Sequence, residues 1–238
     1  MKPQVILGKS PIYSFEADPF IVKKDGHFHL YNHDVFGIKE HISLDGINFK
    51  FVRYLVLNAI RPFIDKNILY YEKMTHLLKF PFFHSHIRSL NLDTLEDRVV
   101  TNEHANASCP SIIDRTLFYS VDFKKMDHGY CEPTGLKILN GPPIIGLDNI
   151  SSIRKFGSLF LGTLIDVKNG ISHAKIVYCH PIKFPNVWRI GADFLTSKEL
   201  PSVVTHVYVP AIIENKLYFN VRYGRTLFSS EKILMQSI

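Results

Sequence analysis

Residues 17–31 read ADPFIVKKDGHFHLY, and four later segments of the chain follow the same pattern. Those segments read IRPFIDKNILYYE at 60–72, SCPSIIDRTLFYS at 108–120, ISSIRKFGSLFLG at 150–162 and YVPAIIENKLYFN at 208–220. Each has a proline or serine, two or three apolar residues, a polar turn and a run of leucine and aromatic residues. Self-similarity of this kind is typical of repeat architectures, so it guides the prediction of the fold.

The polar turn predicts a β-hairpin in each copy. Asp25-Gly26 in the first copy supplies the positive φ that tight hairpin turns require. The proline fits the start of a strand, where it can forgo a ladder hydrogen bond. Alternating polar and apolar residues after the hairpins predict further strands at 37–43, 84–89, 174–179 and 188–194.

The spacing of the copies predicts one domain. Their heads lie near residues 18, 61, 109, 150 and 209, at steps of about 40 to 60 residues. Four-stranded propeller blades recur at a similar spacing. The sequence therefore predicts an all-β fold, a single five-bladed β-propeller over residues 1–238, with the segment Val5 to Leu7 as outer strand of the last blade. A plain β-sandwich with similar strands is the alternative.

The amino-acid composition indicates a globular protein. With 46% hydrophobic and 21% charged residues, the chain has the material for a substantial core. The formal charge of +6 comes from scattered basic residues, so the sequence predicts no nucleic-acid partner. Three cysteines without CxxC spacing favour a reducing compartment. Since no signal peptide or membrane span is visible, we expect a cytoplasmic protein without a membrane partner.

Several segments resemble a known enzyme superfamily over nearly the whole chain. Asp18-Pro19, its apolar strand and Asp25-Gly26 are similar to the opening blade of five-bladed glycoside hydrolases: the arabinanases, xylosidases and invertase-like enzymes, family 43 among them. Residues 108–113 (SCPSII), 117–120 (LFYS) and 189–193 (RIGAD) are similar to other strands of those blades. The resemblance implies a carbohydrate ligand in a central funnel.

The resemblance also implies catalytic residues. Glycoside hydrolysis needs one ionised carboxylate and one protonated carboxyl group. Asp18 matches the family base, which precedes a proline in the first blade. Cys109 stands where the family has an auxiliary aspartate, and Asp148 lies near the place of the acid glutamate. Glu132, on a predicted loop, is the second candidate for the acid.

The predicted substrate-binding residues include two basic side chains. Arg61 takes the place of Asp18 in the second blade, and His206 lies near the head of the fifth. Since guanidinium groups pair with carboxylate or phosphate, an anionic sugar would fit. The ends of the second strands would complete the rim with Asn32, His33, Glu72 and Asp122.

Each assignment has a structural alternative. Asp18 before a proline would also cap a turn through nearby amides. Arg61 would also pair with Glu72 as a structural cation, and His206 would also fit the core. The pairs His27/His29, with His33 nearby, and His84/His86 share strand faces, but no adjoining carboxylate or cysteine completes a metal site. The sequence therefore predicts neither a metal nor a cofactor.

Two main hypotheses for function follow. The first is an enzyme that hydrolyses or transfers a glycosyl group, with Asp18 as base or nucleophile and Asp148 or Glu132 as acid. The second is a non-catalytic glycan-binding propeller, which the cysteine at position 109 and the missing glutamate favour. A propeller that binds another protein is a third, weaker alternative.

Overall fold

A computed structural model describes residues 3–8, 15–74, 85–102, 106–125, 131–168, 171–200, 204–223 and 230–238. In this part of the chain the structure consists of β-strands and one 3-10 turn at Ser197–Glu199, with no α-helix. The predicted all-β class is confirmed. None of the helical structure in these ranges has the length and apolar character to cross a membrane.

The first strand, β1 (Gln4–Leu7), precedes two four-stranded antiparallel sheets. The first sheet has, in order, β2 (Ala17–Lys24), β3 (His27–His33), β4 (Gly37–Ser43) and β5 (Lys50–Leu57). The second sheet has β6 (Ala59–Asp65), β7 (Ile68–Met74), β8 (Ser85–Asn91) and β9 (Asp97–Val99). Each sheet is a meander, so the predicted hairpins are present in both.

The rest of the chain forms a smaller and a larger sheet. The third sheet has β10 (Ser108–Ile113), β11 (Thr116–Lys125) and β12 (Cys131–Ile138). The large sheet has eight strands. They are β13 (Ile150–Phe156), β14 (Leu159–Lys168), β15 (Ile171–Lys183), β16 (Val187–Leu195), β17 (Val204–Ile213), β18 (Lys216–Tyr223), β19 (Ser230–Ser237) and β1.

The large sheet contains two antiparallel groups, β13 to β16 and β17 to β19 with β1. A single parallel bridge between Ala174 and His206 joins them. Hydrogen bonding therefore gives four sheets rather than five, and the count of five blades stays a prediction. The predicted outer strand at Val5 to Leu7 is confirmed, because β1 pairs antiparallel with β19.

The five repeat copies share a distortion at their heads. A β-bulge or register shift interrupts the pairing of β2, β6, β10, β13 and β17 with the strand that follows each. In four of these strands the residue before the proline has a positive φ, as Asp18 (53°), Arg61 (56°), Cys109 (46°) and Val209 (41°) do. Bulges re-aim side chains, so these positions are built to point away from the ordinary strand faces.

The bulged strands meet at the centre of the molecule. β2 contacts β6 and β17, β10 contacts β6 and β13, and β13 contacts β17, so the contacts close into a cycle. The hydrophobic clusters lie between neighbouring groups of strands. Tyr31 and Ile64 join the first two sheets, whereas Phe28 and Tyr218 join the first sheet to the end of the large sheet. The fold is therefore a β-propeller-like ring of sheets around five inner strands.

Candidate functional site

Six side chains form what we call the entrance cluster. Four lie at the heads of the inner strands β2, β6 and β10, and two lie on the strands that follow, β3 and β7. They are Asp18, Arg61, Ser108 and Cys109, with His33 and Glu72. Asp18, Arg61 and Cys109 occupy the bulges, where the left-handed backbone is unfavourable for residues other than glycine. Such strain persists only where surrounding contacts over-determine it. The interactions within the cluster supply those contacts.

Asp18 lies between a histidine and an arginine. Its Oδ2 is 3.0 Å from His33 Nε2 and 3.5 Å from Arg61 Nε. Burial by itself raises the pKa of Asp18, but the His33 hydrogen bond and the charges of Arg61 and Arg154 together hold it below its ordinary value. Asp18 is therefore an ionised carboxylate, and in the described residues its partners are the side chains of His33 and Arg61 rather than the backbone amides of a capped turn.

Arg61 joins two carboxylates. Its Nη1 donates to Glu72 Oε2 at 2.8 Å and to Ser108 Oγ at 2.7 Å, while Ser108 Oγ donates to Glu72 at 2.5 Å. Only 3% of Glu72 is exposed. The pairing of Arg61 with Glu72, one of the two roles considered for this arginine, is therefore present. Glu72 Oε2 thus accepts hydrogen bonds from both Arg61 and Ser108.

Cys109 supplies a thiol where the resemblance implies a carboxylate. Burial raises the pKa of Cys109 to about 11, although Arg61 opposes the rise. The side chain is therefore a neutral thiol, a weak nucleophile that adds no charge to the cluster. Its Sγ lies 3.5 Å from Ser108 Oγ.

Arg154 on β13 is a functional candidate that the sequence reasoning missed. Its guanidinium packs over the rings of Phe63 at 4.8 Å and Phe20 at 5.3 Å, and these rings are themselves 4.7 Å apart. Burial lowers the pKa of Arg154 to about 10, against the opposing influence of Cys109 and Asp18. One feature of the sequence could have identified it. The fourth copy has an arginine at the position where the third and fifth copies have Ile113 and Ile213.

The other predicted site residues are spread more widely. Asp148 is exposed in the turn before β13. Glu132 and Asp122 lie on β12 and β11, but their side chains fall outside the described residues. These three assignments stay predictions.

Asn32 and His206 are buried polar residues. Asn32 is next to His33 and donates to Glu16 Oε2 at 2.5 Å. His206 is 1% exposed, stacks on Tyr208 at 5.5 Å and lies 2.9 Å from Thr205 Oγ1 through Nδ1. The burial of His206 agrees with its alternative as a core histidine. Its role in binding stays a prediction.

Two of the histidines considered as metal ligands contact other groups of the protein. His27 Nδ1 lies 2.8 Å from the Asp25 carbonyl oxygen, and His29 Nδ1 lies 3.1 Å from Glu40 Oε1. His84 falls outside the described residues. In the described ranges, no three histidine, cysteine or acidic side chains are grouped closely enough to hold a metal ion.

The fold of this chain is similar to that of several solved structures. No protein-family model and no curated protein sequence matches the chain. The structure matches a Bacillus licheniformis family 43 endo-arabinanase with a TM-score of 0.58 and 13% identity, over 96% of this chain and 95% of that one. The chain has the fold of the family 43 glycoside hydrolases. The resemblance stated from the sequence is therefore confirmed at the level of the fold, in place of the β-sandwich.

Two further family 43 enzymes agree with this result. A thermostable enzyme matches with a TM-score of 0.62 and 10% identity, over 98% of this chain and 92% of that one. An enzyme from Xanthomonas citri, solved with xylose, matches with a TM-score of 0.60 and 10% identity, over 99% and 89% of the two chains. At these identities the comparison establishes architecture, so the site chemistry must be argued from this chain's own residues.

Proposed function

We propose that residues 1–238 form one five-bladed propeller whose entrance cluster receives a sugar. The five bulged inner strands and their closed cycle of contacts support this count of blades. The Xanthomonas citri enzyme of the same fold was solved with xylose, which supports a carbohydrate ligand. In this proposal, one head from each blade lies around a common axis.

The reaction we propose is glycosyl hydrolysis or transfer with Asp18 as the base. The observation that carries this proposal is the ionised Asp18 carboxylate, which is held at the bulge of β2 by His33 and Arg61. A fixed ionised carboxylate can accept a proton from water or attack the sugar. About 11% of its side chain remains exposed, so a ligand at the entrance can approach it.

The acid must be a different carboxyl group. Glu72 is unsuitable, because it is 3% exposed and already accepts hydrogen bonds from Arg61 and Ser108. Asp148 is the better candidate, because it lies in the turn directly before β13 and its exposure lets it face a bound sugar. Glu132 is the second candidate.

The base is tested by replacing Asp18 with Asn and assaying a panel of oligosaccharides and aryl glycosides. We expect turnover to fall by about 10²- to 10⁴-fold with the fold retained, because one proton-transfer group is removed. Asp25→Asn, in an exposed hairpin turn, is the matched control and should leave turnover unchanged. Full activity in Asp18→Asn would show that another residue is the base.

The acid is tested with leaving groups of different basicity. Asp148→Asn should slow the cleavage of alkyl glycosides strongly and that of dinitrophenyl glycosides little, since a weakly basic leaving group departs without a proton. Glu132→Gln is measured in the same way. Equal slowing of both substrate types would argue against an acid role for the residue tested.

A second candidate is a glycan-binding propeller without turnover. It is favoured by Arg61, which pairs with both buried carboxylates of the cluster, and by the neutral thiol of Cys109. Binding and hydrolysis are measured on the same glycans by calorimetry and product analysis. Saturable binding without product would support this candidate, whereas turnover abolished by one carboxylate substitution would exclude it.

A further inference from the structure

Arg154 crosses the centre of the molecule. It belongs to β13 of the large sheet, yet its guanidinium packs over Phe20 of the first sheet and Phe63 of the second. The nearby charge of Asp18 influences its pKa, so the guanidinium lies within electrostatic reach of the entrance cluster. Arg154 therefore occupies the space that the inner strands enclose.

This guanidinium is buried without hydrogen-bond partners on two of its nitrogens. Arg154 is 3% exposed, and neither Nε nor Nη1 has an acceptor within the part of the chain that the structure describes. The rings of Phe20 and Phe63 provide cation–π contacts, but these satisfy no N–H donor. A buried cation with unfilled donors carries a large desolvation cost, so the arrangement calls for an acceptor.

The neighbouring carboxylates are already bound by other groups. Asp18 is held by His33 and Arg61, and Glu72 is held by Arg61 and Ser108. Within the described ranges, neither carboxylate forms an ion pair with Arg154. A ligand that enters from outside the cluster can supply the missing acceptor.

We propose that Arg154 binds an oxyanion carried by the ligand, the carboxylate of an acidic sugar or the phosphate of a sugar phosphate. This inference rests on the proposed carbohydrate site and adds the chemical class of its ligand. Guanidinium groups recognise both oxyanions through paired N–H donors. The rings of Phe20 and Phe63 fix the guanidinium plane, which reduces the entropy lost when the anion binds.

Two charged side chains of the entrance cluster stay partly exposed. Arg61 keeps 16% and Asp18 keeps 11% of the side chain exposed. Arg61 adds a second positive charge to the cluster, although Asp18 and Glu72 balance much of it. The selective element for an anion is therefore Arg154, whose donors are unfilled.

The experiment compares matched ligands on matched variants. Isothermal titration calorimetry measures binding of a uronic acid oligosaccharide, the neutral hexose oligosaccharide of the same linkage, a sugar phosphate and inorganic phosphate. The variants are Arg154→Met, which keeps the length without the charge, and Arg154→Lys, which keeps the charge without the planar donors. Arg189→Met, on the exposed face of β16, is the control.

We expect Arg154→Met to weaken binding of the acidic sugar or sugar phosphate by about tenfold to a hundredfold, the usual loss for a hydrogen bond to a charged group. Binding of the neutral oligosaccharide should be unchanged. The affinity of Arg154→Lys for the anionic ligand should lie between those of wild type and Arg154→Met. The control should bind as wild type does. Without ligand, Arg154→Met should melt at the wild-type temperature or above, because it removes an unpaired buried charge.

Other results separate this inference from the proposed function. Equal binding of anionic and neutral glycans, unchanged by Arg154→Met, would overturn the anion site and leave the carbohydrate site intact. Inorganic phosphate binding that is lost in Arg154→Met, with no glycan bound, would support the anion site and contradict the proposed function. A large fall in the melting temperature of ligand-free Arg154→Met would overturn the inference, since Arg154 would then be structural.

Discussion

Arg61 forms ion pairs with both carboxylates of the entrance cluster. It contacts Asp18 from Nε and Glu72 from Nη1, and its backbone at the head of β6 is left-handed, with a φ of 56°. Both carboxylates are largely buried. Arg61 is therefore the cation that these two buried side chains share.

Replacing Arg61 with Met should destabilise the protein more than its partial exposure suggests. The change leaves two buried carboxylates without their shared cation, and breaking one side of a buried pair costs about 3–5 kcal/mol. Urea unfolding measures the loss. Arg98→Met, whose ion pair with Glu96 is largely exposed, should cost less than about 1 kcal/mol. Equal effects of the two substitutions would contradict this role of Arg61.

His41 gives the protein a sensitivity to mild acid. Burial lowers the pKa of His41 to about 4, and the charge of Lys39 adds to the effect. The folded state therefore favours neutral histidine, so His41 contributes full stability above pH 6.5 and loses it as the pH falls toward 4. In His41→Phe the fall in unfolding free energy between pH 7.5 and 5 should be smaller by about 1–2 kcal/mol. An unchanged pH dependence by urea unfolding would refute this.

At the scale of residues, the sequence predicted the inner positions that precede a proline. Asp18, Arg61 and Cys109 were found because the proline marks the bulge. The pairing of Arg61 with Glu72 was one of two alternatives, since a sequence does not show which partner a long side chain reaches. Arg154 was missed because its neighbours, Phe20 and Phe63, belong to other sheets.

Among the elements, strands with alternating residues were predicted well. The segment 37–43 coincides with β4, and 174–179 lies within the longer β15. β5 was not predicted, because Lys50–Leu57 is a nearly continuous run of apolar residues without the alternation of a half-buried strand. Five copies did not give five separate sheets because one backbone bridge, Ala174 to His206, joins two groups.

β5 is an exposed edge that should promote self-association. It ends the order of the first sheet, and Phe51 and Val52 are 54% and 46% exposed. Long apolar edges are templates for pairing with another chain, and a lysine blocks them. Val52→Lys should reduce light scattering at high protein concentration with little change in stability. Val99→Lys, on the three-residue edge strand β9, should have a smaller effect.

At the scale of the whole molecule, the two ends of the chain close the ring together. β1 pairs with β19, and Phe15 and Glu16 then bridge to Glu231 before the chain enters β2. The cluster around Ile6 contains residues of both the first sheet and the large sheet. Closure thus joins first and last repeats without a covalent link, and it depends on a strand of four residues.

Removal of residues 1–8 should therefore destabilise the whole ring rather than one end of it. The truncation removes the strand that pairs with β19 and the side chain of Ile6, which is 3% exposed and lies in one cluster with Ile21 and Ile233. Burial of one such side chain is worth about 1.5–3 kcal/mol, and the newly exposed edge of β19 adds to the loss. We expect the unfolding free energy to fall by about 3–5 kcal/mol in urea, with a smaller effect for removal of residues 1–3, which precede the first paired residue, Gln4. Ile6→Asp in the full chain tests packing alone and should account for much of the loss. If the truncated chain unfolds at the wild-type midpoint, β1 does not close the ring, and the interlocking of first and last repeats must come from β2, β17 and β18.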